Sequence, residues 1–306
     1  MKRKIIQLVP GLIQLETNAK KINGFSFWNS KVAKDFFNVD SSSEFKFRYI
    51  VKKNIEECPE KVQFRFSNLS YVNNKWYYYS KKFFFKFKFT IDESTDTMTV
   101  NPTYHRHLIR IGFLETTGNI LADYMTYKIE QNGKSFQDGA AAILNKKTFL
   151  IFGPGKNFKT TLLNMILESG GGYIGDEFFL LSGDNAYSIM PNISAIDFRS
   201  SHKDLLKQNL KKQTINFSKY DAVFFLVFSN ENNISEITLV EANNYLKFYH
   251  RASNAYYYNF FKNRENLVAP KQSENVLENE NAKYFLCYFT DINNIFNFIK
   301  NYECRK

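Results

Sequence analysis

The stretch Ile151 to Thr161, IFGPGKNFKTT, falls one residue short of a phosphate-binding loop. Such a loop reads GxxxxGK[ST]: successive backbone N–H groups wrap an anion at a helix N-terminus, the lysine reaches the β- and γ-phosphates, and the hydroxyl binds magnesium. Gly153, Lys159 and Thr160 stand in register, while Phe158 occupies the place of the second glycine. Gly153 supplies the turn out of a strand and Gly155 leaves room for close approach. Pro154, Lys156, Asn157 and Thr161 complete the candidate nucleotide-binding set. Phe158 keeps its backbone donor, but a positive φ at that position would cost a non-glycine residue about 1–2 kcal/mol.

A second element follows 17 positions after Lys159, where Asp176-Glu177 opens an otherwise apolar segment. Adjacent acids there are costly unless they meet a cation or a partner, and magnesium is the natural cation beside a phosphate loop. Phosphoryl transfer needs a cradle, a metal, and a carboxylate to orient or deprotonate the attacking hydroxyl. The acidic pair can supply the last two. A surface turn with two solvated acids is the plainer alternative.

The elements needed to position these residues are legible around them. GAAAILNKKTFLIFG reads as a β-hairpin turning at Asn145-Lys146-Lys147, whose second strand, Thr148 to Phe152, feeds directly into the loop. A helix from Lys159 to about Ser169 buries Leu162, Leu163, Ile166 and Leu167 and ends at Gly170-Gly171-Gly172. A second hairpin turns at Gly183-Asp184. Residues 221–229 are a buried strand, 237–250 a helix, 283–290 a last strand and 291–301 a last helix. The polar stretch 262–282 reads as a mobile loop. Upstream, residues 1 to about 105 are aromatic-rich and alternate with period two, which predicts an antiparallel sheet from the runs 44–51, 61–72, 75–80 and 82–91. In the last run Phe85, Phe87 and Phe89 take one face and Lys86 and Lys88 the other. Ile120, Leu121, Tyr124, Met125 and Ile129 recur at helical spacing before Asn132-Gly133. The expected division is a β-rich domain over 1–110 that presents substrate and a P-loop α/β domain over 111–306.

Composition limits the alternatives. With 306 residues, 44% hydrophobic and 17% aromatic, the chain can fill two packed cores. No stretch approaches the ~20 apolar residues of a membrane helix, and Pro10 and Gln14 break the N-terminal apolar run, so neither membrane insertion nor a signal peptide is expected and the default address is the cytoplasm. The net charge of +11 accompanies an abundance of Lys, Asn, Phe, Tyr and Ile. Compositional bias explains it more simply than a nucleic-acid footprint, which needs a clustered patch. Cys58, Cys287 and Cys304 lack disulfide or zinc spacing and read as free thiols. His105-x-His107 would place two imidazoles on one face of a strand with no third ligand; His202 and His250 read as structural.

The run Asp138 to Leu181 resembles the core of the HPr kinase/phosphorylase family and its HPr-kinase-like relatives, whose catalytic fold is similar to that of PEP carboxykinase. The shared features are a hairpin leading into the P-loop, the loop helix, its glycine-marked end, and an acidic pair opening the next hairpin. The resemblance covers roughly the last 180 residues. It implies an HPr-kinase/PEP-carboxykinase-like P-loop domain with a mixed sheet, and ATP and Mg2+ held by Gly153, Gly155, Lys159 and Thr160. It further implies Asp176 as the carboxylate that takes the proton from a hydroxyl acceptor, and Glu177 as a second acid at the metal or phosphate. The acceptor would be a hydroxyl, commonly Ser, of a peptide or protein, and a ring or dimer would be compatible with it. Two positions depart from the family. Asp138-Gly139 stands where a His-Gly or His-Ala pair is usual, placing a third carboxylate near the nucleotide, and Phe158 replaces the second glycine. The alternative reading is a non-catalytic nucleotide-binding or peptide-recognition module with a degenerate loop. The basic run from Lys203 to Lys212 could receive an acidic peptide, although a solvated helix face explains it too.

Overall fold

Period-two alternation in the N-terminal third does become strand. A computed structural model of the chain describes residues 4–19, 22, 43–66, 68–82, 84–106, 117–154, 158–176, 178–189, 215–249, 261 and 276–302. Contacts divide the chain into two units, residues 1–128 with 256–270, and residues 129–255 with 271–306. Among the described residues no helix is long and apolar enough to cross a membrane.

The first unit is an eight-stranded sheet. Its strands are β1 (Lys4–Val9), β2 (Ile13–Thr17), β3 (Phe45–Val51), β4 (Phe64–Phe66), β5 (Leu69–Val72), β6 (Lys75–Lys82), β7 (Phe85–Asp92) and β8 (Thr97–Val100), in the spatial order β1-β2-β3-β8-β7-β6-β5-β4. The expected antiparallel sheet is instead mixed, because β3 pairs in parallel with both β2 and β8. The interrupted apolar run at the N-terminus is the hairpin β1–β2, turned at Gly11 with φ 71°. The segment expected as one strand over 61–72 is two, β4 and β5, paired with each other. Asn73 and Asn74, at φ 50° and 59°, make the tight turn into β6, as two residues that tolerate the left-handed region should. Phe87 and Phe89 are buried, as the alternation requires. Helix α1 (Pro102–Arg106) carries His105, so the imidazole that the sequence assigned to a strand lies on a helix, within 3.2 Å of the Tyr49 hydroxyl. Helix α2 (Thr117–Glu130) presents Tyr124, whose ring meets Phe47 edge-on and whose hydroxyl donates to Asp96 at 2.7 Å.

The second unit has a six-stranded sheet in the order β12-β10-β11-β16-β18-β17 and a four-stranded sheet in the order β15-β14-β13-β9. The strands are β9 (Lys134–Asp138), β10 (Ala140–Leu144), β11 (Lys147–Phe152), β12 (Gly172–Gly175), β13 (Phe178–Ser182), β14 (Asn185–Ser188), β15 (Phe217–Lys219), β16 (Ala222–Phe228), β17 (Asn233–Ile237) and β18 (Lys283–Phe289). The larger sheet is mixed: β11, β16 and β18 run parallel at its centre, flanked by antiparallel neighbours. Asp221 holds the N-terminal ends of this trio level. Its carboxylate accepts from the Thr148 N–H at 2.8 Å and from Lys147 Nζ at 3.2 Å, while its carbonyl accepts from the Lys283 N–H at 3.0 Å. Both hairpins expected around the loop are present, β10–β11 and β13–β14.

Among the described residues this unit has three helices: α3 (Lys159–Glu168), α4 (Leu239–Leu246) and α5 (Ile292–Lys300). Alternate residues of the parallel trio face opposite layers. Phe149, Phe224 and Phe285 lie on the side of α5, where Phe298 and Tyr302 pack on them. Phe152, Val223 and Phe225 face a core shared with Phe179 and Leu181 of the small sheet and Ala242 and Leu246 of α4. The helix expected over 237–250 is shorter, since residues 233–237 form the edge strand β17 and Thr238 begins α4 with a capping box to Glu241. The cap decides the boundary: Thr238 and Glu241 satisfy each other's backbone donors, which an extended helix would leave no place for.

The end of the polar stretch is fastened rather than loose. Asn243, 5% exposed, accepts from the Val276 and Leu277 N–H groups and donates to the Leu239 and Leu277 carbonyls. Tyr220 accepts at its hydroxyl from Glu278 and Asn279. Residues 262–275 lie outside the described residues, as do His107, His202, His250, Cys304 and the basic run 203–212. Cys58 and Cys287 are free thiols, and burial pushes Cys287 up to about 12. Replacing Asn243 by Ala should strand two backbone donors and lower the unfolding free energy by roughly 1–3 kcal/mol; urea denaturation of Asn243→Ala against wild type measures it.

Candidate nucleotide site

The candidate site begins where the chain leaves β11. Phe152, fully buried, is wedged against the rings of Phe179, Phe225 and Tyr249 at centroid distances of 5.7, 5.5 and 6.0 Å. That packing fixes the point from which Gly153 departs. Six residues later the chain is helical, with Leu162, Leu163, Ile166 and Leu167 buried as expected. The far end of α3 closes with paired hydrogen bonds, Gly171 N–H to Ile166 O and Gly170 N–H to Leu167 O, at 2.9 and 3.0 Å, the Schellman arrangement.

At its near end α3 has no side-chain cap among the described residues. The first N–H groups of a helix need an outside acceptor, and an anion is one that also suits the positive end of the helix dipole. Lys159, the first helical residue, folds its ammonium back onto the carbonyls of Gly153 and, at 3.3 Å, Pro154. The cation therefore lies over the mouth of the loop, held by neutral acceptors that a phosphate would outcompete. Phe158 does adopt the conformation that glycine would take without cost, φ 58° and ψ 11°. Its ring meets Phe228 and Phe289, each at a centroid distance of 6.0 Å.

Thr160 points to the second sequence element. Its hydroxyl donates to the Asp176 carboxylate, 3.2 Å from either oxygen, and Asp176 is only 3% exposed. Asp176 arrives there because two neighbouring segments change sheet at the same place. β9 pairs in the small sheet and continues after Gly139 as β10 of the large one; β12 pairs in the large sheet and continues after Asp176 as β13 of the small one. A Cβ on Gly139 would lie 2.8 Å from the Ile151 carbonyl and 2.9 Å from the Phe152 ring, and one on Gly175 would lie 2.8 Å from the Phe178 carbonyl. Only glycine fits this crossing. Asp138 sits at the same corner, on the strand beside Asp176, in register with Phe178. Its side chain is exposed and its N–H donates to the Tyr249 carbonyl at 3.1 Å. Burial first, then the Tyr245 ring and the Asp138 charge, push the Tyr249 hydroxyl above its ordinary range.

The fold thus brings together Gly153, Pro154, Phe158, Lys159, Thr160, Asp138 and Asp176. Thr161 is on the first turn of α3. Gly155, Lys156, Asn157 and Glu177 lie outside the described residues. The sequence reading missed Asn164, four residues beyond Thr160 and so on the same helix face; its buried Oδ1 has no partner among the described residues. Such an oxygen calls for a water or a cation. Thr160 and Asp176 themselves offer a hydroxyl and a carboxylate, hard oxygens that fit magnesium, which is usually held by one or two carboxylates with phosphates and waters rather than by a protein cage. No cluster of three His, Cys, Asp or Glu that could hold a metal occurs among the described residues.

No family model matches the chain and no curated protein matches it. Among solved structures it is similar to the Hpr(Ser) kinase/phosphatase from Coxiella burnetii, at 10% identity and a TM-score of 0.33, over 55% of this chain and 95% of that one. A likeness of that size carries no functional argument. The chain is a mixed α/β protein, and its function has to be argued from its own residues.

The strain at Phe158 can be measured apart from its ring contacts. Phe158→Gly and Phe158→Ala lose the same aromatic packing, but only glycine relieves the positive φ. The Gly variant should be the more stable of the two by about 1 kcal/mol, read as the difference between their denaturation midpoints at equal m-value.

Proposed function

We propose that the second unit binds a magnesium nucleoside triphosphate, ATP in the leading reading, and transfers its terminal phosphoryl group to a hydroxyl, most simply Ser, of a peptide or protein. The observation that carries the proposal is the joint placement of Lys159 and Thr160 at the uncapped head of α3, with Thr160 directly on the buried carboxylate of Asp176. A chance glycine-containing turn would have no reason to aim its following hydroxyl at a buried acid.

In this mechanism Lys159 exchanges the Gly153 and Pro154 carbonyls for the β- and γ-phosphate oxygens, and the first N–H groups of α3 take the remaining charge. Bound magnesium would supply charge neutralisation between those oxygens, with Thr160 and the second acid, Glu177, as its protein oxygens. Asp176 orients the acceptor hydroxyl and takes its proton as the acceptor O–P bond forms and the bond from the γ-phosphorus to the β–γ bridging oxygen breaks, releasing the nucleoside diphosphate. Its burial against Thr160 holds the carboxylate in one geometry, which general-base catalysis requires. Asp138, exposed at the same corner, adds negative charge facing the entering acceptor.

A second reading, binding without transfer, draws on Asp138 itself. A carboxylate there offers the phosphates no donor and repels them, so a site that only binds nucleotide would tolerate it more readily than one that must stabilise a transferring phosphoryl group.

Calorimetry with Mg-ATP and a turnover assay separate these readings. Lys159→Ala should weaken Mg-ATP binding at least tenfold, the loss of one charge-assisted contact. Asp176→Asn should retain binding within a few-fold and lose turnover by about 10²-fold or more. Binding indifferent to Lys159 would end the nucleotide reading. Lys159-dependent binding with no turnover in wild type would select the second.

A further inference from the structure

The ring that spoils the phosphate-loop motif belongs to an aromatic cluster that the motif does not explain. Phe158, Phe228 and Phe289 meet in a triangle: Phe158 lies 6.0 Å from each of the others, and Phe228 meets Phe289 edge-on at 5.8 Å. Phe289 is buried, but Phe158 is 43% and Phe228 57% exposed. Exposed rings gathered in one place are unusual on a surface unless something covers them.

Their position names the cover. Phe228 and Phe289 are the last residues of β16 and β18, in register with each other, and the loop opens at the last residue of the parallel neighbour β11. All three ends belong to one carboxyl edge of a parallel trio, where ligands of α/β sheets bind. Phe152 pairs with Phe225, so β16 and β18 run on three residues past the end of β11, and Phe228 and Phe289 end beyond the exit of the loop. Phe158 also joins the two features covalently, its ring in the triangle and its successor, Lys159, over the loop.

We infer that Phe158 and Phe228 form a stacking platform for the nucleobase of the ligand whose phosphates the Lys159 loop holds. The inference rests on the nucleotide reading of that loop and adds to it a second, apolar subsite. Flat faces suit any base, so the platform supplies affinity while leaving discrimination among bases weak. It also gives Phe158 a role that glycine could not fill.

The test compares Mg-ATP with magnesium tripolyphosphate, which has the phosphates and no base, by calorimetry on wild type, Phe228→Ala and Phe228→Trp. Phe228 is exposed and outside the loop, and Phe158 keeps its contact with Phe289 in each variant; tripolyphosphate affinity reads whether the phosphate cradle is intact. Wild type should bind ATP roughly tenfold or more tightly than tripolyphosphate; Phe228→Ala should remove most of that preference and leave tripolyphosphate affinity unchanged, and Phe228→Trp should retain the preference. Lys159-dependent binding of both ligands with equal affinity would overturn the platform and leave the phosphate site standing. Loss of acceptor binding in Phe228→Ala, with ATP affinity unchanged, would also overturn it by giving the rings to the acceptor. Failure of wild type to bind either ligand would overturn the platform together with the nucleotide reading.

Discussion

The Thr160 to Asp176 hydrogen bond depends on one geometric constraint: two segments that are far apart in sequence must both change sheet at the same corner. Residues 138–140 pass from the small sheet to the large one, and residues 175–178 pass back. Each crossing runs so close to its neighbours that no Cβ fits at Gly139 or Gly175. Without those glycines the strands could not exchange partners where they do, and Asp176 would not be delivered beneath the first turn of α3. The buried acid is then stabilised by the hydroxyl it was brought to, since a carboxylate at 3% exposure without a donor would be a large liability.

The loop's other support comes from below. Asp221 aligns the starts of the parallel trio by accepting from Thr148 and Lys147, and the rings around Phe152 fix the exit of β11. Strand rise is nearly constant, so aligned starts keep the trio in register: Phe152 pairs with Phe225, and β16 and β18 run on three residues past it to end together at Phe228 and Phe289. The apolar packing costs this arrangement little freedom, because Phe residues on both faces interlock with α5 on one side and with α4 and the small sheet on the other. Polar chemistry is confined to the edge, where loops emerge from a rigid support.

Much of this was legible in the sequence wherever the signal was local. The 3.6-residue spacing of Leu162, Leu163, Ile166 and Leu167 gave α3, glycines gave its end, and Asn73-Asn74 and Asn145-Lys146 gave their turns. Lys159, Thr160 and Asp176 could be nominated because a loop motif and an acidic pair are contiguous. What was not legible is non-local. Parallel pairing of β3 with β2 and β8 leaves no mark in an alternating strand, so a mixed sheet read as antiparallel. Ile237, the last residue of the edge strand β17, reads as the start of a helix until Thr238 and Glu241 are recognised as a capping box. Asn243 anchors residues 276 and 277 across more than thirty positions, which no pattern in a polar stretch announces. Phe228 belonged, by sequence, to an ordinary buried strand; only the strand's end on the carboxyl edge exposes its ring.

Phe158 shows why a motif mismatch and a functional loss are different statements. A phosphate loop asks two things of this position, a backbone donor and a left-handed turn, and a side chain forbids neither. The donor is retained by any residue but proline, and the turn costs about 1–2 kcal/mol for a residue with a Cβ. Against that cost stand two aromatic contacts, to Phe228 and Phe289, each of a kind that contributes about 0.5–1.5 kcal/mol beyond area burial. The two magnitudes are comparable, so the strained conformation is sustained by the rings at the strand ends rather than by the loop. Where glycine would make the turn by having no side chain, this chain makes it by giving the side chain somewhere to go. The same balance engages Phe228, which meets both Phe158 and Phe289 and still keeps 57% of its surface exposed.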